Sequence, residues 1–211
     1  METFAMMLRH FSIPIYINLI ISVFVIATII DRTATLFFIY RIDADAFVNI
    51  LIKLVKSKNY ERAIQYCNSI KSPVARICKA GLMKVEKGAL EISTAIDEEL
   101  MRVTPLLEKR IASLWSFANI ATLIGLLGTI YGLIRAFSAL AAVSPEQKAA
   151  FLARGISEAM NNTAVGLGIA IICMIGHLIL SGRSKRMISD LDVSAVTFEN
   201  FLLLHKKTQD K

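Results

Sequence analysis

Three long apolar stretches limit this chain more than any other feature, because each must be shielded from water along its whole length. Ile13–Ile30, reading IPIYINLIISVFVIATII, has 18 residues without a charge. A second stretch, 114–143, is uncharged apart from Arg135, and a third, 151–181, has Arg154 and Glu158 near its start. A helix needs about 20 apolar residues to cross a hydrocarbon layer roughly 30 Å thick, so all three can span it, the first barely. Backbone groups in lipid must be satisfied within their own segment, which selects helices. The expected class is therefore all-α: a polytopic membrane protein with three transmembrane helices and a large helical cytoplasmic loop. Of the 211 residues, 55% are hydrophobic and 19% charged, whereas soluble domains are usually nearer a quarter charged. That balance excludes disorder, and three cysteines exclude a disulfide scaffold.

The first stretch could also be read as a cleaved signal peptide with Arg9 as its basic end. Its apolar run is longer than a usual signal core, and Asp31-Arg32 follows with no small-residue cleavage site, so it reads as an anchor. Lysines and arginines then orient the chain. The segment before the first span has one, 31–113 has 14, 144–156 has two, and the tail after 181 has six. Basic residues accumulate on the cytoplasmic side. The expected layout is a periplasmic segment 1–12, a span 13–30, a cytoplasmic helical loop 31–113, and a second span 114–143. A periplasmic connection 144–150, a third span 151–181 and a cytoplasmic tail 182–211 complete it. The net charge of +7 reports topology here, and the loop's 14 basic residues are interspersed with 10 acidic ones, so no nucleic-acid partner is expected.

The soluble segments read as helices. Ser57–Asn59 looks like a turn, and Ser72-Pro73 an N-cap followed by a first-turn proline. Gly88 precedes a helix whose Glu91, Asp97, Glu98 and Glu99 form a solvated face. That helix is expected to run into the second span, interrupted or bent at Pro105. Ser144-Pro145-Glu146-Gln147 has the form of a capped helix start. Glu158 then lies roughly 20 Å along the third helix, inside the bilayer.

The second span carries small residues on one face: Ala118, Thr122, Gly125, Thr129, Gly132, Ala136 and Ala139. The third repeats the device with Ala159, Thr163, Gly166, Ala170, Cys173 and His177. Small faces let helix backbones approach in lipid, and Gly128-x-x-x-Gly132 adds a packing motif. Gly125, Gly128, Gly132 and Gly166 are the expected packing positions. Packing explains Glu158, Asn161 and Asn162 less well, since an intramembrane carboxylate is costly when charged and unpaired. Arg135 is expected to snorkel outward and His177 to sit at the interface. A narrow hydroxyl-lined face with one titratable carboxylate suits a proton path through Thr122, Thr129, Thr163 and Glu158. The cysteines have no metal-like spacing and no phosphate loop or catalytic constellation is present. No metal, no cofactor and no enzymatic activity are expected.

Two of these segments resemble a known family. Gly125-Leu-Leu-Gly-Thr-Ile-Tyr-Gly-Leu-Ile-Arg-Ala-Phe137 resembles the second-span motif of the ExbB/TolQ/MotA proton-channel family. Gly155-Ile-Ser-Glu-Ala-Met-Asn-Asn-Thr-Ala-Val-Gly-Leu-Gly-Ile-Ala-Ile171 resembles its third-span motif, and the similarity extends to Ile29-Ile-Asp-Arg32 and Ser72-Pro-Val-Ala-Arg76. The resemblance implies a homopentameric ring in the inner membrane of a Gram-negative bacterium, around a dimer of a single-span partner of the ExbD/TolR kind. The partner helix would supply an aspartate, and proton flow would drive mechanical work at the cell envelope. By motif, Thr129 and Thr163 match the threonines facing the partner helices, and Glu158 matches the third-span glutamate. Thr122 and Ile172 stand where the family often has proline, and Asn161-Asn162 is more polar than usual, a flavour associated with surface-motility motors. Which process is powered, and whether the ion is H⁺ or Na⁺, the sequence leaves open, with the carboxylate and hydroxyls leaning towards H⁺. The alternative is a non-conducting membrane scaffold assembled through the small helix faces.

Overall fold

The structure, a computed structural model, describes residues 13–40, 42–142 and 144–209. The expected segment 1–12 therefore lies outside the described residues. Among those described there is no strand. The elements are α1 (Ile13–Ala34), a π-helical turn (Thr35–Ile39), α2 (Ala44–Lys56), α3 (Tyr60–Ser69), α4 (Pro73–Leu82) and α5 (Ala89–Glu108). They continue with α6 (Ile111–Ala139), a 3-10 turn (Leu140–Ala142) and α7 (Pro145–Gln209). Three helical stretches, Ile13–Phe38, Ala89–Ala139 and Pro145–Lys207, are long and apolar enough to cross a membrane. The chain is an all-α protein with three candidate spans and a large helical region, as expected.

Local chemistry accounts for several helix ends. Asp43 caps α2 by accepting the Ala46 amide at 3.0 Å. The 57–59 turn carries Lys58 at φ 58, and Gly88 at φ 154 opens α5 in a region that favours glycine. One expectation is corrected: α5 runs through Pro105 to Glu108, and the interruption falls at Lys109–Arg110, where Arg110 is left-handed (φ 61, ψ −3). A proline inside a helix loses its own amide bond and crowds the carbonyl four residues back, and α5 continues past both. Beyond residue 181, α7 continues unbroken to Gln209 and buries Met187, Leu191, Ala195, Phe198 and Leu202 at helical spacing.

The chain divides into two compact units, one of residues 1–31 and 110–179, the other of 32–109 and 180–211. In the second, α4 packs against α3 and α5, and Leu51, Val55, Ile77, Ile92, Ile96 and Phe198 are fully buried. Its surface carries the Arg102–Glu98 and Arg76–Glu99 ion pairs. The first unit contains α1 to Asp31, α6, and α7 to Ile179, and it holds the candidate site.

Candidate functional site

The α6–α7 contact is built from residues too small to keep two helices apart. A Cβ on Gly166 would lie 2.6 Å from the Ala121 carbonyl oxygen and 3.0 Å from the Gly125 Cα. One on Gly125 would lie 3.0 Å from the Asn162 carbonyl, one on Gly128 2.7 Å from the Asn162 Cβ, and one on Gly132 3.0 Å from the Ala159 Cβ. Gly155 faces Ala136 in the same way. Residue numbers rise along α6 as they fall along α7, so the helices are antiparallel and meet along one continuous seam. Close approach of this kind is how helices associate in lipid, where apolar side chains gain little by leaving an apolar solvent.

Polar side chains lace the same seam. The Asn18 side-chain amide of α1 donates to the Ala121 carbonyl (3.3 Å), Thr163 Oγ1 to the Gly125 carbonyl (3.2 Å), and the Asn162 amide to the Gly128 carbonyl (3.1 Å). The three acceptors follow one another along one face of α6. Asn18 and Asn162 are each 1% exposed. Sequence reasoning missed Asn18, although an asparagine inside an uncharged apolar run is a signal that could have found it.

The expected path residues fall into two groups. Thr163 sits in the seam, while the Thr122 and Thr129 hydroxyls donate to carbonyls of their own helix, Ala118 (3.0 Å) and Leu126 (2.6 Å). Glu158 is half-buried and lines a cavity of about 380 Å³ together with Tyr131, Gly132, Arg135, Phe151 and Arg154. The structure thus brings Glu158 together with two arginines, and with none of the threonines. Arg135 is exposed, yet it borders the carboxylate's cavity. Among the described residues, no ion pair within 4.0 Å engages Glu158.

The opposite end of the unit is pinned by other contacts. His177 Nδ1 lies 3.0 Å from the Ile111 carbonyl, so the Nδ1–H tautomer donates to the first residue of α6, and the ring tilts against Trp115. Asp31 pairs with Arg110 at 3.6 Å. The outward face of α6 exposes Leu123, Leu127, Ile130 and Ile134, an apolar surface suited to lipid or to another apolar helix.

Residues 69–193 match the model of the MotA/TolQ/ExbB proton channel family. That range includes the whole α6–α7 seam and Glu158, and it covers more than half of the chain. The chain belongs to the MotA/TolQ/ExbB proton channel family. It is 29% identical over 155 residues to an ExbB-like biopolymer transport protein of Synechocystis sp., covering 73% of each chain. It is 31% identical over 116 residues to the Tol-Pal system protein TolQ of Pseudomonas aeruginosa, covering 55% of this chain and 49% of TolQ. In fold it is similar to a chain in the solved structure of C. jejuni MotAB, with a TM-score of 0.63 at 16% identity, over 84% of this chain and 69% of that one. The resemblance sets Thr122 and Ile172 at positions where a proline is the expectation. Both lie inside unbroken helices here, α6 and α7. Asn18 lies outside the family-matched range, so one donor of the seam comes from a part of the chain that the family model does not reach.

Proposed function

We propose that this protein is the proton-conducting stator subunit of an inner-membrane motor. Five copies form a ring around a dimer of a single-span ExbD/TolR-like partner, with the N-terminus periplasmic and the C-terminus cytoplasmic. The ring turns proton-motive force into mechanical work at the cell envelope. The observation that carries this reading is Glu158, a carboxylate lining a cavity between two helices whose close packing runs through glycine and alanine. A carboxylate among apolar helices is costly to retain and marks a functional position. Thr163, Thr129 and Thr122 supply the rest of the path. Each donates its hydroxyl proton to a helix carbonyl, which leaves its oxygen free to accept from water. The second carboxylate that a relay needs comes from the partner helix. The orientation follows from the 14 basic residues of 31–113 and the six after 181, which fall on one side of three spans.

The test is proton uptake by proteoliposomes containing the chain with its co-purified single-span partner. Glu158→Gln is expected to lower the flux at least about tenfold, the scale on which a proton-transfer group acts. The native mass of the ring, near five times 23.4 kDa before partner and lipid are added, should not change. Undiminished flux would overturn the assignment.

One observation favours a second reading, a non-conducting scaffold. Thr163 and Asn162 donate their protons across the seam, as residues that only hold helices together would do. Under that reading Glu158→Gln leaves activity in cells intact, whereas Gly128→Leu disrupts the protein.

A further inference from the structure

The segment Ser72–Arg76 takes no part in the seam, and its chemistry is incomplete as it stands. Ser72 occupies the N-cap of α4 with extended backbone (φ −125, ψ 146), but its hydroxyl closes no cap. The residue is 4% exposed. Pro73 has no N–H, and the Val74 and Ala75 amides, the first donors of the helix, make no backbone hydrogen bond among the described residues. Both of those residues are 1% exposed. Buried donors are normally paired, and a helix start with unengaged donors is a place where anions bind.

The helix start borders a cavity of about 300 Å³ whose lining includes Ser72, Ala75, Cys67, Lys71, Arg76 and Lys79, and no aspartate or glutamate. Arg76 is held by Glu99 at 2.6 Å. Lys71 and Lys79 have no ion-pair partner among the described residues. The Cys67 thiol stays neutral, because burial pushes it up to about 12 although the Lys79 charge acts in the other direction. Ser72 also borders a second cavity, of about 290 Å³, whose charged lining is Asp43, Asp45 and Asp190 against the single Arg183, a net negative balance that disfavours an anion. The charge on either side of the helix start therefore steers a negative group to the basic cavity.

We propose that this basic cavity binds a phosphate group, as a monoester or diester. The Ser72 hydroxyl and the unengaged Ala75 amide, which both border this cavity, donate to its oxygens, and Lys71 and Lys79 balance its charge. Arg76 stays shared with Glu99. The phosphate belongs either to a soluble molecule or to a lipid headgroup, and the chemistry of recognition is the same for both.

Isothermal titration and thermal unfolding of the full chain in detergent, in phosphate-free buffer of fixed ionic strength, test the site. Inorganic phosphate should bind and raise Tm, and chloride should not. Lys71→Ala with Lys79→Ala should weaken phosphate binding at least about tenfold, and Ser72→Ala by a few-fold. Without phosphate, Ser72→Ala should leave Tm unchanged, since the hydroxyl closes no cap, so a lost response is not a folding defect. No response to phosphate, or an equal response in the variants, would overturn the site. In nanodiscs of phosphatidylglycerol, a wild-type response that vanishes identifies the lipid headgroup as the occupant. A response that persists identifies a soluble phosphate.

Discussion

The two units of this chain fold by different means, and the contrast is clearest between Gly81 in one and Gly166, in the α6–α7 seam, in the other. In the unit of 32–109 and 180–211, a Cβ on Gly81 would meet the tips of Ile96 and Leu202, at 2.8 and 3.3 Å. In the unit of 1–31 and 110–179, a Cβ on Gly166 would meet backbone, the Ala121 carbonyl and the Gly125 Cα. The first unit named excludes water from large aliphatic and aromatic side chains such as Phe198, Ile77 and Ile96. The second buries Leu114 and Val25 but leaves Leu123, Leu127 and Ile134 outside, and along the α6–α7 seam it brings backbones together instead. A chain folding in water gains by burying large apolar groups, and a chain in lipid gains by close contact and satisfied donors.

The largest effect expected is in the water-facing core. Phe198 is fully buried, and Phe198→Ala should destabilise the protein by about 4 kcal/mol, as truncation of a buried phenylalanine does. Denaturant unfolding of the detergent-solubilised chain measures it. A loss below about 1 kcal/mol would mean that α7 beyond residue 180 is not part of a packed core.

Next comes a pair of matched substitutions. Gly166→Ala must push a backbone aside and should cost about 2 kcal/mol, in the usual range for overpacking. Gly81→Ala needs only a side-chain tip to move, and alanine's better helix propensity, worth about 1 kcal/mol, offsets the strain. Gly168, with nothing within 4 Å of its would-be Cβ, is the control that should tolerate alanine. Equal costs at 166 and 81 would erase the contrast between the units.

A smaller effect is confined to the water-facing unit. Burial pushes Cys67 from 9.0 up to about 12 and raises Cys78 as well. The folded state therefore holds these protons where the unfolded chain has released them. Their contribution to stability is complete below pH 9.0 and is lost as pH rises towards about 12. Unfolding at pH 8 and pH 10.5 should show a steeper alkaline loss for the natural chain than for the double variant Cys67→Ala, Cys78→Ala. Identical slopes would show that neither thiol is buried as described.

These differences also explain what could be read from the residues alone. The three spans announced themselves, because lipid demands long uncharged runs, and the starts of α4 and α7 followed from Ser72-Pro73 and Ser144-Pro145. The break at Lys109–Arg110 was not legible, since a left-handed arginine leaves no compositional trace while Pro105 is conspicuous and yet does not end the helix. The helical continuation past 181 was written in the spacing of Leu191, Ala195, Phe198 and Leu202, whereas the basic residues there were read for orientation alone. Within the site, the glycines and threonines were visible as a face. The gathering of Arg135, Arg154 and Glu158 around one cavity was not, because it depends on the register between two helices.

The smallest expected change in stability is the most informative about function. The Thr129 hydroxyl donates to the Leu126 carbonyl of its own helix, so it joins α6 to nothing else among the described residues. Thr129→Val keeps the shape and removes a bond that the helix does not need, and it should change stability by less than about 0.5 kcal/mol. Thr163→Val, by contrast, deletes a bond to α7's neighbour at Gly125 and confounds packing with conduction. Proton flux in proteoliposomes with the partner therefore reads Thr129 cleanly. Lost flux in an equally stable Thr129→Val protein that still assembles with its partner would place the hydroxyl in the proton path. Unchanged flux would remove Thr129 from that path and leave the seam of the lipid-facing unit with a purely structural explanation at this position.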